Sequence, residues 1–378
     1  MNFLLHHIDT IIGDFDGTLP LSVYLKNYYR TNRQLGSRDR KAIAEGVYLY
    51  YRYARRMPPD SAIFTVIRNA LRHAGTRNAF LETMILREFP DLPELSLKPA
   101  VQDNYPALSE GISWEEWDQH FLVQPDMFIR IRNSTVPITL DSEQIEFDAD
   151  ATLSNCLRIP NQTDLSRVLP ADSYVVQDRS SQQSMHILLD AIKNGKILTA
   201  WDCCAGAGGK SLMLRDSRPE IQLLASDIRQ SILENLKDRF RAYRLDVPRV
   251  KVLDLTQKQD LQSSIGAARF DLILCDVPCT GSGTWARTPE QYHFFNPVLL
   301  SSVSERQLGI ASNALTYLKK GGYFAYITCS VFREENEIVA DKLMEEFPLE
   351  VITQQLVNGV PHKADSLFIT VFRKSSDS

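Results

Sequence analysis

The sequence predicts an α/β protein: a Rossmann-like, doubly wound parallel sheet in its C-terminal half, preceded by a small α/β segment and an all-helical lobe. Three observations predict it. Two apolar runs, Phe270-Asp271-Leu272-Ile273-Leu274-Cys275 and Tyr323-Phe324-Ala325-Tyr326-Ile327, have the length and unbroken hydrophobicity of parallel strands buried on both faces. A glycine-rich stretch, Cys204-Ala205-Gly206-Ala207-Gly208-Gly209-Lys210-Ser211, lies between a strand-like segment at 196–200 and the helix start Leu212-Met213-Leu214. Short apolar runs at 221–226 and 250–253 stop at Asp227 and Asp254, as 270–275 stops at Asp276. Acids and loops at the carboxyl ends of successive strands mark where open α/β sheets place their sites.

Taken from the N-terminus, residues 1–103 read as a helical domain, with Pro90, Pro93 and Pro99 marking its exit. Ile11-Ile12-Gly13-Asp14-Phe15-Asp16-Gly17-Thr18-Leu19 looks like the D-x-D-G-T loop of haloacid-dehalogenase phosphatases. That fold would need a parallel sheet to follow, and the next hundred residues offer only helices, so the reading is an Asp-Gly turn between the first two helices. An acidic connector and small α/β subdomain span 104–184, and the catalytic domain spans 185–378. Within it Gly321-Gly322 turns the chain into the strand that ends before Cys329.

The net charge of −5 conceals two opposed lobes. From 21 to 80, twelve bases face three acids, a balance of +9; from 81 to 160, five bases face fifteen acids, a balance of −10. Helical spacing and interleaved Tyr24, Tyr28, Tyr29, Tyr48, Tyr50, Tyr51 and Tyr53 suit a lobe whose tyrosines build a core and whose Arg38, Arg40, Arg55 and Arg56 meet an RNA backbone. The other possibility is a solvated helical face. No apolar run approaches bilayer length, the first ten residues lack a signal pattern, and six cysteines without metal-ligand spacing or neighbouring histidines point to a reducing cytoplasm and no metal.

The glycine loop admits three cofactors. A phosphate-binding loop needs a glycine where Cys204 stands, and a dinucleotide fingerprint fails at Lys210 and Ser211. The third is S-adenosylmethionine, held by the loop from Cys204 to Lys210. Asp227, 25 residues after Asp202, would grip the ribose hydroxyls, and Asp254 would accept from the adenine amino group. Any one acid could be a helix cap, but three in series argue for a ligand.

Together these residues resemble the RNA cytosine-5 methyltransferases of the bacterial ribosomal-RNA and eukaryotic nucleolar type. Asp202-Cys203-Cys204-Ala205-Gly206-Ala207-Gly208-Gly209-Lys210-Ser211 is similar to that family's D-x-C-A-A-P-G-G-K-[ST], with Gly206 and Ala207 in place of Ala and Pro. Losing the proline loosens the turn and removes no functional group. Asp276-Val277-Pro278-Cys279-Thr280-Gly281-Ser282-Gly283 matches D-x-P-C-S-G-x-G, and Thr328-Cys329-Ser330 followed by Glu335-Asn336-Glu337 matches T-C-S-x-x-x-x-E-N-E. Upstream, the segment carrying Arg130, Arg132 and Asn133 looks like the family's R-x-N, which adds both arginines to the RNA set, and 176–181 looks like its Q-D-x-[AS]-S. Asp365-Ser366-Leu367-Phe368 departs from the usual D-G-F-F. The family often carries a helical domain similar to an RNA-binding antitermination factor.

The resemblance implies methylation of carbon 5 of a cytosine, with small-subunit ribosomal RNA the favoured substrate, by a monomer. Carbon 5 is a poor nucleophile, so a thiolate must first add to carbon 6, and a base must later remove the carbon 5 proton. In the family the T-C-S cysteine, here Cys329, attacks, and the D-x-P-C cysteine, here Cys279, assists release. Asp276 would hold the ring nitrogen and exocyclic amine and also touch the cofactor, while Lys210 orients that network. The rivals are a transfer-RNA cytosine-5 methyltransferase, a nucleoside triphosphatase, a methyltransferase acting on exocyclic nitrogens, and a non-catalytic RNA-binding protein of the same fold.

Overall fold

The computed structural model describes residues 2–74, 78–98, 105–161 and 163–376. The expected boundary at 103 and 104, together with Arg77 and Pro99, lies outside the described residues. The chain forms two compact units: Met1–Tyr105 with Ser113–Gln124 and Thr284–Pro297, and Pro106–Ile112 with Pro125–Gly283 and Val298–Ser378.

The first unit is helical: α1 Phe3–Asp14, α2 Leu21–Thr31, α3 Ser37–Tyr53, α4 Ile63–Ala74, α5 Ala79–Glu88 and α6 Trp114–Phe121. Apolar residues at helical spacing, such as Leu4, Ile8 and Ile11 on α1 and Phe64, Ile67 and Leu71 on α4, converge on one core. Tyr51 and Tyr53 are buried in it, and Tyr24, Tyr28, Tyr29, Tyr48 and Tyr50 pack against it. Asp14 ends a helix, and the chain turns at Asp16, whose carboxylate accepts from Thr18 N at 3.0 Å. The phosphatase loop therefore has no strand beneath it.

The second unit holds two sheets. In the smaller, β1 Met127–Ile131, β2 Asp148–Ala149, β3 Cys156–Ile159 and β4 Tyr174–Val176 pair antiparallel in the order β2-β3-β1-β4. The larger comprises β5 Thr199–Asp202, β6 Gln222–Asp227, β7 Arg249–Val252, β8 Phe270–Asp276, β9 Leu318–Thr328, β10 Leu349–Val357 and β11 Leu367–Lys374. Its order is β10-β11-β9-β8-β5-β6-β7, parallel from β9 to β7 and antiparallel where β11 meets β9 and β10. This is the doubly wound sheet expected, with its order reversing at β5. Crossover connections leave the crevice outside the carboxyl ends of β5, β6 and β8.

β5 begins three residues later than the apolar run suggests. The Asp271 carboxylate accepts from Leu198 N at 3.1 Å and Thr199 N at 2.9 Å, so Leu198 is half exposed and the ladder starts at Thr199. Residues 270–275 and 323–327 are strands as read, with Leu272, Ile273, Leu274, Phe324 and Ala325 fully buried.

Candidate active site

The chain leaves β5 at Asp202 and turns back through the glycine loop. Ala205 N donates to Ser226 O at 2.8 Å and Gly206 N to the Asp227 carboxylate at 3.0 Å, which ties the loop to the end of β6. Gly208 starts the helix Gly209–Ser217 at φ +79°, and a Cβ there would lie 2.8 Å from Leu236 Cγ. A Cβ on Gly206 or Gly209 would meet nothing within 4 Å. Bare backbone thus borders open space at the switch point, the cradle a nucleoside-bearing cofactor requires.

Asp227 is buried, and burial would raise its pKa. Hydrogen bonds from Arg229 N at 2.9 Å, Arg229 Nε at 3.0 Å and Gly206 N outweigh this and hold it below the usual carboxylate range. Asp254, two residues past β7, is half-buried and accepts from Thr256 N at 2.9 Å and Thr256 Oγ1 at 2.7 Å. Asp202, which the sequence reading used only as a landmark, is wholly buried, accepts from Ser211 Oγ at 2.6 Å, and is pushed up to about 7 by burial.

The parallel register of β8 and β9 sets Asp276 beside Ile327, so the loops that follow run side by side. Val277 N donates to Ile327 O at 3.0 Å and Gly283 N to Cys329 O at 2.9 Å. Gly283 is obligatory here, because a Cβ would sit 2.0 Å from Ser366 O. The result is a Cys279 Sγ to Cys329 Sγ distance of 3.1 Å. The sulfur contact with Cys329, reinforced by burial, pushes the Cys279 thiol up. Lys210 Nζ donates to Asp276 Oδ2 at 2.6 Å. Burial alone would lower the Lys210 pKa, but the Asp276 charge outweighs it and the shift is upward, so the ammonium persists. Cys279, Cys329, Asp276 and Lys210 are thereby brought together at one end of the sheet.

The arginines divide differently. Arg38 is exposed with its guanidinium 3.9 Å from the Phe80 ring centroid, and Arg40 lies half-buried over Tyr29. Arg56 is buried, paired with Asp118 at 2.9 Å and donating to Lys98 O at 2.6 Å; Arg55 donates to Phe295 O at 2.8 Å. Arg130 and Arg132 share Asp216 at 2.7 and 2.9 Å. Each of these four guanidiniums thus donates to a protein acceptor.

The segment that carries this site has known relatives. Residues 186–369 match the family model described as 16S rRNA methyltransferase RsmB/F. These residues belong to the RsmB/F family. The chain is 25% identical over 334 residues to ribosomal RNA small subunit methyltransferase B of Yersinia pseudotuberculosis, covering 83% of this chain and 76% of that protein. Among solved structures, PH0851 superposes with a TM-score of 0.71 at 17% identity, over 98% of this chain and 97% of that one. A methyltransferase homologue from Pyrococcus horikoshii does so at 0.57 and 17% identity, over 81% and 98%. An RsmB/F domain is an S-adenosylmethionine-dependent RNA methyltransferase, and the open glycine cradle fits that donor. No helix among the described residues is long and apolar enough to cross a membrane.

Proposed function

We propose that this RsmB/F protein methylates carbon 5 of a cytosine in RNA through a covalent cysteine adduct, with small-subunit ribosomal RNA as its substrate in the cytoplasm. The observation that carries the reading is the 3.1 Å approach of two thiols beside the Lys210 and Asp276 pair. A methylase of exocyclic nitrogens has no use for two adjacent sulfurs. The description of the family model and the relatives' names favour ribosomal over transfer RNA.

Cys329, by the resemblance of its Thr-Cys-Ser motif, is the sulfur that attacks carbon 6, and the upward push on Cys279 from the sulfur contact and burial is in keeping with its being the second thiol. Asp276, anchored by Lys210, hydrogen-bonds the ring nitrogen and exocyclic amine and stabilises charge as the adduct forms. S-adenosylmethionine, when bound, supplies the electrophilic methyl group. Asp227 would hold the ribose hydroxyls, Asp254 the adenine, and the loop from Cys204 to Gly209 the remaining polar groups. After methyl transfer the carbon 5 proton passes to a base as the bond from Cys329 to carbon 6 breaks and its electron pair returns to sulfur, and Cys279 assists that release.

On the helical unit, Lys26, Arg30, Arg33 and Arg40 line a cleft of about 330 Å³ with Tyr29. Among the described residues Lys26, Arg30 and Arg33 have no ion-pair partner, which supports contact with RNA phosphates here rather than at Arg55 or Arg56.

Adduct trapping tests the reading. Cys279→Ala should accumulate a protein–RNA adduct, seen as a retarded band on a denaturing gel, because the carbon 6 bond forms but resolves slowly. Cys329→Ala and the double variant should show neither band nor methyl incorporation. Adduct trapped by Cys329→Ala instead would exchange the two roles, and full activity in both variants would exclude covalent catalysis.

A further inference from the structure

Along the sequence Glu335 is only the first acid of the Glu335-Asn336-Glu337 motif. In the fold it is a wholly buried carboxylate placed between the two cysteine loops. Oε1 accepts from Thr280 N at 2.8 Å and Gln307 Nε2 at 2.9 Å. Oε2 accepts from Thr280 Oγ1 at 2.5 Å and from Ser330 Oγ. Thr280 follows Cys279 and Ser330 follows Cys329, so one side chain grips the residue next to each thiol. Four donors fill the lone pairs of an acceptor-only carboxylate, which an amide or a hydroxyl in its place could not match.

The grip is itself braced. Tyr326 OH donates to Glu335 O at 2.6 Å, and Gln307 Nε2 also reaches Pro278 O at 3.0 Å, on the residue before Cys279. Neighbouring Asn336 accepts from Thr328 Oγ1 at 2.5 Å and donates to Ser330 O at 2.9 Å, fixing both flanks of Cys329. The two loops depart from different strands and are joined also by Gly283 N to Cys329 O, Ser282 Oγ to Ser330 Oγ at 3.0 Å and Val331 N to Ser282 Oγ at 2.9 Å. Small rotations of either loop would separate the sulfurs.

We propose that Glu335 is a positioning residue that sets the spacing of the two thiols by holding Thr280 and Ser330 together. The Glu335 charge contributes to the upward shift of Cys279, whereas Cys329 contributes to that of Lys210.

The inference rests on the two-thiol reading, so Cys329→Ala is measured in parallel. Glu335→Gln should turn a donor toward Thr280 or Ser330, lower kcat for methyl transfer at least tenfold, and leave the KM for RNA and the affinity for S-adenosylmethionine within twofold. It should also change the ratio of trapped adduct to product and displace the alkaline limb of the kcat profile. Thr280→Val and Ser330→Ala, which each remove one hydroxyl, should reproduce the kcat loss more weakly and serve if Glu335→Gln does not fold. Turnover within twofold of wild type in all three, while Cys329→Ala is inactive, would overturn the role of Glu335 alone. A parallel loss of cofactor affinity in all three would also overturn it, by showing general collapse of the site. Methyl transfer by Cys329→Ala would remove the underlying two-thiol reading.

Discussion

Two groups of cysteines at the same sheet differ in exposure and in their neighbours. Cys203 and Cys275 lie in the core with Trp201, Ile273 and Tyr326, and burial pushes both thiols up. Cys329 and Cys279 lie one and three residues past the ends of β9 and β8, half-buried, with a charged pair beside them. Cys275 and Cys279 are separated by only four positions, yet one is packed in the core and the other meets a second thiol in the loop beyond the strand.

The contrast is tested most severely at Lys210. Lys210→Met should lower the rate of methyl transfer by about 10²- to 10³-fold, the usual cost of removing one preorganised electrostatic contact. Unaltered turnover would detach the loop thiols from the charged pair. Next in size, Asp227→Ala should weaken S-adenosylmethionine binding by about 1 to 3 kcal/mol, the cost of unpaired buried partners. Equal affinity by titration calorimetry would move the ribose away from β6.

Replacing Lys26, Arg30 and Arg33 together by Gln should weaken RNA binding and reduce the slope of log affinity against log salt by about 2 to 3. An unchanged slope would make that cleft a solvated face. Cys275→Ala should cost about 1 kcal/mol of stability as a small cavity and leave turnover within twofold. Loss of activity there would erase the division between core and loop thiols.

A pH dependence of stability is expected at Asp202 as well. Asp202, at about 7 in the folded chain against an ordinary carboxylate near 3.9 when unfolded, holds a proton that the unfolded chain releases. Its contribution to stability is full below the unfolded value and falls as pH rises towards 7. Asp202→Asn should flatten the denaturation midpoint over that window, and an undiminished slope would assign it to other groups.

What was legible in the sequence was local. Apolar runs, their lengths, the aspartates that end them and the glycines that turn the chain depend on near neighbours, so β6, β8 and β9 and the positions of Asp227, Asp276, Cys279 and Cys329 could be read directly. The cytosine chemistry came from resemblance, because spacing along a chain does not say which sulfur attacks. Only the tertiary structure decided the pairings. Arg56 with Asp118, Arg130 with Asp216, and Glu335 with Thr280 join residues 62, 86 and 55 positions apart. Residues 284–297 likewise fold with the helical unit despite lying within the catalytic sequence. A guanidinium or carboxylate has no periodicity that records its partner. Whether it meets solvent, RNA or a buried acceptor is settled by strand register and helix packing, and that same register brings two sulfurs to 3.1 Å.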